Sequence, residues 1–288
     1  MSLGPRAGAD KGWRNRVRRD WEKAARPWER WEPQVMYALS GILSPLMRAL
    51  DLRPGQRVLD FACGSGEPAL SIAPWVAPRG AVVGIDVSAP LLGVARRRAR
   101  ALHIRNVRFE AGDVERLARH RGRFDRVVSR FGIMFVEDVS QVLRLMYACL
   151  KPGGRAALAV WGPASRNLTF MLTAPILQRM TGEPPVDPER APHPLRLGRP
   201  GLLARLMRDA GFRAVRTEAA YASFVSPSAE EFARERLDCS SPLRNAYRRL
   251  SARDKRRVVA AIMRAAAPHR TGGMLRLPAM AWIVTGRR

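Results

Sequence analysis

Between Arg57 and Trp161 short apolar runs alternate with stretches of helical periodicity. The runs are RVLDFA, AVVGID, NVRFEA, FDRVVS and GRAALAVW, and helical patterns cover 67–77, 88–102 and 137–150. Short runs bounded by turn residues read as strands buried on both faces, and their alternation with helices predicts an α/β fold with a doubly wound, mostly parallel sheet. A helix over 201–210 stopped by Gly211, a strand over FRAVRTEAAY and a closing strand over MLRLPAMAWIVTG extend the sheet to seven strands. Pro278 demotes the first part of that last run to a strand end or bulge, because it has no N–H for a ladder.

The flanking segments follow another rhythm. Residues 1–12 are Gly-rich and polar, and read as a frayed end. From Trp13 to Leu50 a helical pattern is interrupted at Pro27, Pro33 and Pro45, which predicts several short helices. The stretch TGEPPVDPERAPHPLRLGRPG is too long and irregular for a plain connection and reads as an insertion over the sheet. Helical segments over 228–267 open at Ser228, with Glu230 and Glu231 in the first turn, and stop at Pro268. The chain thus divides into an N-terminal helical cover (1–50), an α/β core (51–161), a cap insertion (162–200), a core continuation (201–225), a helical cap (226–271) and a final core strand (272–288). The three helical parts are expected to lie over the carboxyl edge of the sheet and to wall an acceptor pocket. Trp28, Trp31, Met171, Met180 and Phe232 are its apolar candidates.

Composition narrows the class. With 47% apolar and 26% charged residues the chain is an ordinary globular one. No run approaches the roughly 18 apolar residues of a membrane span, and no signal-like run opens the chain, so a cytoplasmic location is expected. Cys63, Cys149 and Cys239 are odd in number and far apart, which predicts reduced thiols and no metal site. The net charge of +26 suggests a nucleic acid, an acidic surface or an anionic substrate as partner. All but four of the 51 basic residues are arginine, so a compositional bias competes with that reading.

The candidate chemistry sits in VLDFACGSGEPAL, residues 58–70. A buried strand ends at Asp60, a tight turn carries Gly64 and Gly66, and a helix follows from about Glu67, so backbone N–H groups and a positive helix end converge on one spot. Gly64, Gly66 and Ala69 satisfy G-x-G-x-x-G/A, and Asp86 ends the next strand where a ribose-binding carboxylate belongs. A nicotinamide dinucleotide and S-adenosylmethionine both meet this pattern. Asp60 separates them: a carboxylate about 4–6 Å from a pyrophosphate opposes it by roughly 1–3 kcal/mol, whereas it attracts the ammonium and sulfonium of S-adenosylmethionine.

This segment resembles the first motif of the class I S-adenosylmethionine-dependent methyltransferases, a Rossmann-like family. GIDVS (84–88), AGDVERL (111–117), FDRVVSRFGIMFVED (124–138) and LKPGGRAALAVW (150–161) match its later motifs in order, and LLARLMRDAGF (202–212) extends the match. Within the family the chain is most similar to the methyltransferase-11 group, which includes ubiquinone and menaquinone C-methyltransferases; the tyrosine and histidine signatures of the quinone enzymes are absent. The resemblance implies that Asp60, Ala62, Gly64 and Gly66 hold the methionine part, Asp86 the ribose hydroxyls and Asp113 the adenine amino group. Val87 and Val114 would lie against the rings, and Ser129 and Phe131 beside the sulfonium. Asp113 is equally suited to cap a helix over Val114–Ala118. Ala62 stands where the family often has a glycine and fits only if its φ is negative.

The implied activity is S-adenosylmethionine-dependent methylation of oxygen, nitrogen or carbon on an uncharged or anionic small molecule, a secondary metabolite or quinone-like compound. Arg130, Arg166 and Arg196 are the expected cations near it, with Trp28 and Trp31 in the pocket. His193 is the one histidine in the roof segment, a candidate general base or an ordinary loop residue. Two other readings stay open: an RNA or protein methyltransferase using the basic surface, densest over Arg96–Arg126, and a catalytically silent S-adenosylmethionine-binding protein. The Asn/Asp/Ser-Pro-Pro-Tyr/Phe motif of base and glutamine N-methyltransferases is missing.

Overall fold

The computed structural model describes residues 11–113, 117–182, 187 and 192–288. Residues 1–10 of the expected frayed end and the helix start at 114–116, with Val114, lie outside the described residues, as does most of 183–191 in the cap insertion; residues 11 and 12, also expected to be frayed, are helical.

The core is one sheet. Its strands are β1 (Arg57–Phe61), β2 (Ala81–Asp86), β3 (Val107–Ala111), β4 (Phe124–Arg130), β5 (Leu150–Trp161), β6 (Arg213–Ser226), the two-residue β7 (Arg270–Thr271) and β8 (Met274–Arg287). Their order is β3-β2-β1-β4-β5-β8-β6, with β7 paired on β8. The first five run parallel, and β8 is antiparallel to both neighbours. The expected seven strands are all present, with β7 as a short addition. Strand order reverses at β1, between β2 and β4, and that reversal opens a crevice at the carboxyl ends where α/β sheets bind ligands.

Core helices sit where capping chemistry starts them. Ser88 caps α3 (Ala89–Ala101) by accepting from the Leu91 N–H, and Asp138 caps α4 (Val139–Cys149) through the Gln141 N–H at 2.8 Å. Between β1 and β2 lies α2 (Ala69–Val76), which buries Leu70, Ile72, Ala73 and Val76. The cap insertion contributes α5 (Leu168–Met171) and α6 (Ala174–Thr181), and α7 (Leu202–Asp209) leads into β6. Ser228 caps α8 (Ala229–Cys239) through the Glu231 N–H, as its position predicts. Next come α9 (Ser241–Arg248) and α10 (Ala252–Ala266), the latter stopping just before Pro268.

Two sequence expectations are corrected. The N-terminal segment is not a set of short helices but one 40-residue helix, α1 (Lys11–Leu50), running through Pro27, Pro33 and Pro45. Each proline removes one backbone bond and crowds the preceding turn, at about 3 kcal/mol. Val35, Ala38, Leu39, Ile42, Leu46 and Leu50 recur at helical spacing and are buried against the sheet. Their burial, at about 1.5–3 kcal/mol for a large aliphatic side chain, offsets the breaks. Nor does Pro278 end or bulge the last strand: β8 is continuous, and Pro278 pairs with Ser223 of β6. The ladder to β5 starts only at Ala281, so the missing N–H lies beyond that ladder's end.

Candidate functional site

A cavity of about 2220 Å³ opens at the carboxyl ends of β1, β2 and β4. Its floor is the β1–α2 turn, its sides are Asp86 and Val87 at the end of β2 and the segment from Arg130 to Gln141 at and beyond the end of β4, and its roof is α1 from Trp13 to Leu39 together with Arg196 to Asp209. The volume exceeds the roughly 300–1,000 Å³ of an ordinary small-molecule pocket, so there is room for two molecules side by side.

The turn is held by backbone bonds and by two aspartates. Cys63 N–H donates to the Ile85 carbonyl at 3.1 Å, and Gly66 N–H to the Cys63 carbonyl at 2.9 Å. Asp60 is fully buried under the turn; its Oδ2 accepts the Ala69 N–H at 3.0 Å and fixes the start of α2. Asp86 accepts the Gly64 N–H on Oδ2 and the Ser88 N–H on Oδ1, both at 2.8 Å. Each oxygen keeps a lone pair for a further donor. Burial raises the pKa of both aspartates, that of Asp60 well above the ordinary carboxylate range.

Gly64 has a positive φ of 53°, and a Cβ built on it meets nothing within 4 Å. A side chain there would project into open space from a backbone conformation that disfavours it, so glycine leaves a cradle over the turn. Ala62 does not keep a negative φ: it stands at +58°, in the left-handed region. This corrects the expectation, and the reason is local. Gly132 lies against the Ala62 methyl, and a Cβ on Gly132 would come within 2.3 Å of it. The space absent from residue 62 is supplied by residue 132, leaving a backbone strain on the order of 1–2 kcal/mol. Phe131 is also left-handed, at +60°, and its ring stacks on Trp161 at 4.0 Å and 11°. Non-glycine residues in that region cluster at binding sites.

The sequence candidates separate into three groups. Ala62, Gly64, Asp86, Val87, Asp113, Arg130, Phe131, Trp28 and Arg196 line the cavity. Asp60, Gly66 and Ser129 stand behind this wall; the Gly66 Cα faces Leu70, and the Ser129 hydroxyl is buried without a partner. His193, Trp31 and Arg166 are not brought to the cavity. His193 Nδ1 accepts the Leu195 N–H at 3.1 Å, which ties it to its own loop. Trp31 Nε1 donates to Asp238 on the far side of α1, where it lines a second, smaller cavity of about 540 Å³. Arg166 is exposed. Segment 226–271, expected to wall the pocket, contributes no lining residue among those described; Met171, Met180 and Phe232 are likewise elsewhere.

Arg196 lines the cavity but is engaged. It donates to the Val136 and Glu137 carbonyls and stacks over Trp13 at 5.1 Å. Trp13 Nε1 in turn donates to the Phe135 carbonyl at 2.9 Å. These bonds clamp the end of α1 onto the segment after β4. Trp13, Val17, Trp21, Met36 and Phe135 are lining residues that the sequence reading missed, as are Glu67 and the exposed Arg16, Arg144, Arg199 and Arg205.

Comparison with known proteins agrees with this architecture. Residues 58–154 match the family model of a methyltransferase domain. Demethylmenaquinone methyltransferase of Bacillus cereus is 35% identical over 109 residues, 38% of this chain and 46% of that protein. The chain thus spans about half the length of the curated relatives it matches. Among solved structures, the YcgJ protein of Bacillus subtilis shares the fold with a TM-score of 0.56 at 20% identity, over 85% of this chain and 97% of that one. A phosphoethanolamine N-methyltransferase of Haemonchus contortus, solved with phosphomonomethylethanolamine and S-adenosylhomocysteine, gives 0.54 at 17% identity, over 99% and 61%. Sheet order, glycine turn and the matched residues make the core of this chain similar to a methyltransferase domain.

Proposed function

We propose that the chain binds S-adenosylmethionine across the crevice and directs its methyl group to a small, apolar-bodied acceptor, uncharged or anionic. The observation that carries the reading is the acid content around an open glycine turn. Asp60, Glu67, Asp86 and Glu32 surround it, with Arg96, Arg98 and Arg130 as the opposing charges. That excess of negative charge disfavours a pyrophosphate and favours an ammonium and a sulfonium. Asp86 would accept the ribose hydroxyls, Val87 would cover a ring face and Asp113 would accept from the adenine amine.

When bound, the sulfonium supplies an activated methyl group, so the protein's work is alignment and exclusion of water. Trp13, Trp21 and Trp28 of α1 line the cavity together with Phe131 and Phe135, and Trp21 meets Phe135 edge-on at 5.3 Å. These walls suit a flat or apolar body. Arg16, Arg144, Arg199 and Arg205 stand exposed around the mouth and would draw in an anionic group. The described lining residues include no histidine, and burial holds the Cys63 thiol well above its ordinary pKa. The reading therefore favours an acceptor that is already nucleophilic, such as a phenolate or an enolised quinol. The 35% identity over 109 residues to a demethylmenaquinone methyltransferase keeps a quinone-like ring among the acceptors to test.

Among the described residues no helix is long and apolar enough to cross a membrane, and no cluster of metal-ligating side chains occurs. All three cysteines are buried and unbridged, and a cytoplasmic location is part of the proposal. Turnover of labelled S-adenosylmethionine over phenols, quinols, aromatic carboxylates, amines and bulk tRNA tests the acceptor. Phenols, quinols or carboxylates should be methylated well above amines. Preferential methylation of tRNA would replace this reading with the nucleic-acid one, and cofactor binding without turnover on any acceptor would favour a silent binding protein.

A further inference from the structure

Beside the glycine turn lie two buried polar atoms of opposite charge, neither with a hydrogen-bond partner. One is Nη1 of Arg130, the last residue of β4 and a cavity-lining one; its Nη2 donates only to the Met36 thioether, at 3.6 Å. The other is Oδ1 of Asp60, whose Oδ2 is taken by Ala69. The other acids near Arg130 are held by a different cation. Arg98 reaches Glu32 at 2.6 Å and Glu67 at 3.3 Å, and also donates to the Ser65 carbonyl at 2.8 Å. Burial lowers the pKa of Arg130, and the Glu67 and Asp60 charges only partly oppose that shift.

A buried guanidinium without an acceptor is costly in any fold. It becomes favourable when a ligand brings the missing anion. The place is specific: Arg130 lines the cavity at the end of β4, and Asp60 lies on the paired strand β1, buried directly beneath the glycine turn. A ligand that answered both charges would place a negative group on Arg130 and a positive group over the turn above Asp60, both carried by one carbon, which is the chemistry of an α-amino acid.

We propose that Arg130 is the carboxylate anchor of the cofactor site, its free Nη1 receiving the α-carboxylate of the methionine end, while the charge of Asp60 beneath the turn favours the α-ammonium above it. The inference rests on the reading that the crevice takes S-adenosylmethionine, and it adds a residue that selects for the amino-acid end of that molecule. A guanidinium suits the role better than an ammonium, because its planar donors stay aimed at a carboxylate while another donor remains on Met36.

The test is calorimetric titration of the full chain and of Arg130→Met with S-adenosylhomocysteine and with methylthioadenosine, the same nucleoside thioether without the amino-acid end. Arg130→Met should weaken S-adenosylhomocysteine by about 30- to 100-fold and leave methylthioadenosine within about twofold. Arg130→Lys should fall between. Retained methylthioadenosine affinity also reports that the variant is folded. Should the variant not fold, the unaltered chain carries the test: it should bind the decarboxylated analogue of S-adenosylhomocysteine at least about 30-fold more weakly than S-adenosylhomocysteine itself. Equal affinity for those two ligands, or equal loss of both thioethers in Arg130→Met, overturns the anchor. Failure of the unaltered chain to bind any adenosyl thioether overturns the cofactor reading, and the anchor falls with it.

Discussion

Asp86→Ala should weaken S-adenosylhomocysteine binding by about 100- to 1,000-fold, more than a ribose contact alone would explain. The carboxylate holds the glycine turn from one oxygen, at Gly64, and the start of α3 from the other, at Ser88. Alanine leaves both N–H groups without an acceptor, each worth about 1–3 kcal/mol, in addition to the two hydroxyls. Asp86→Asn should lose less, because one oxygen survives, although its amide N–H₂ then faces a backbone donor. Acid should mimic the change. Burial raises the Asp86 pKa, so this group stabilises the fold relatively when protonated and loses that contribution as pH rises through the folded value. Ligand binding has the opposite sign, since it needs the ionised acceptor. Affinity should therefore fall on acidification, beginning at a higher pH than an ordinary aspartate would dictate. A loss below about threefold in the alanine variant would place the ribose elsewhere.

Gly132→Ala should cost about 2 kcal/mol of unfolding free energy, although the backbone of Gly132, at φ −100°, accepts any residue. The penalty is contact: the new methyl lands 2.3 Å from the Ala62 Cβ and 3.0 Å from the Ser129 hydroxyl. Something must move, and Ala62 sits on the strained turn that frames the cavity. Removing that methyl should relieve the clash, so Ala62→Gly combined with Gly132→Ala should recover most of the lost stability. Urea unfolding of the four chains measures the coupling. If the two changes simply add, the contact does not explain why residue 62 need not be glycine.

The sheet was legible because its strands are buried on both faces and therefore apolar throughout, and because Gly64, Gly66, Asp60 and Asp86 occupy spacings that few alternatives satisfy. The roof was not, and the prolines of α1 are the reason. Trp13, Val17, Trp21 and Trp28 stand four, four and seven residues apart, which is one face of a single helix, and all four line the cavity. Breaking that helix at Pro27 and Pro33 hides the stripe, because the aromatic residues then fall into separate pieces with no common face. Local propensity marked the breaks correctly as costs; the burial of Ile42, Leu46 and Leu50 against the sheet, a long-range effect, decided against them. His193 misled for the converse reason. Its type suited a base and its segment suited a roof, yet the local bond to Leu195 holds it away. The positive φ of Ala62 was hidden too, since the compensating Gly132 lies 70 residues further on and is brought close only by the pairing of β1 with β4.

The acid-flanked glycine turn should take S-adenosylmethionine and not a dinucleotide. Side-by-side calorimetry of the full chain with S-adenosylmethionine and with NAD tests it most directly. Saturable, one-to-one binding of S-adenosylmethionine and no measurable heat with NAD are expected; binding of NAD without S-adenosylmethionine would overturn the assignment.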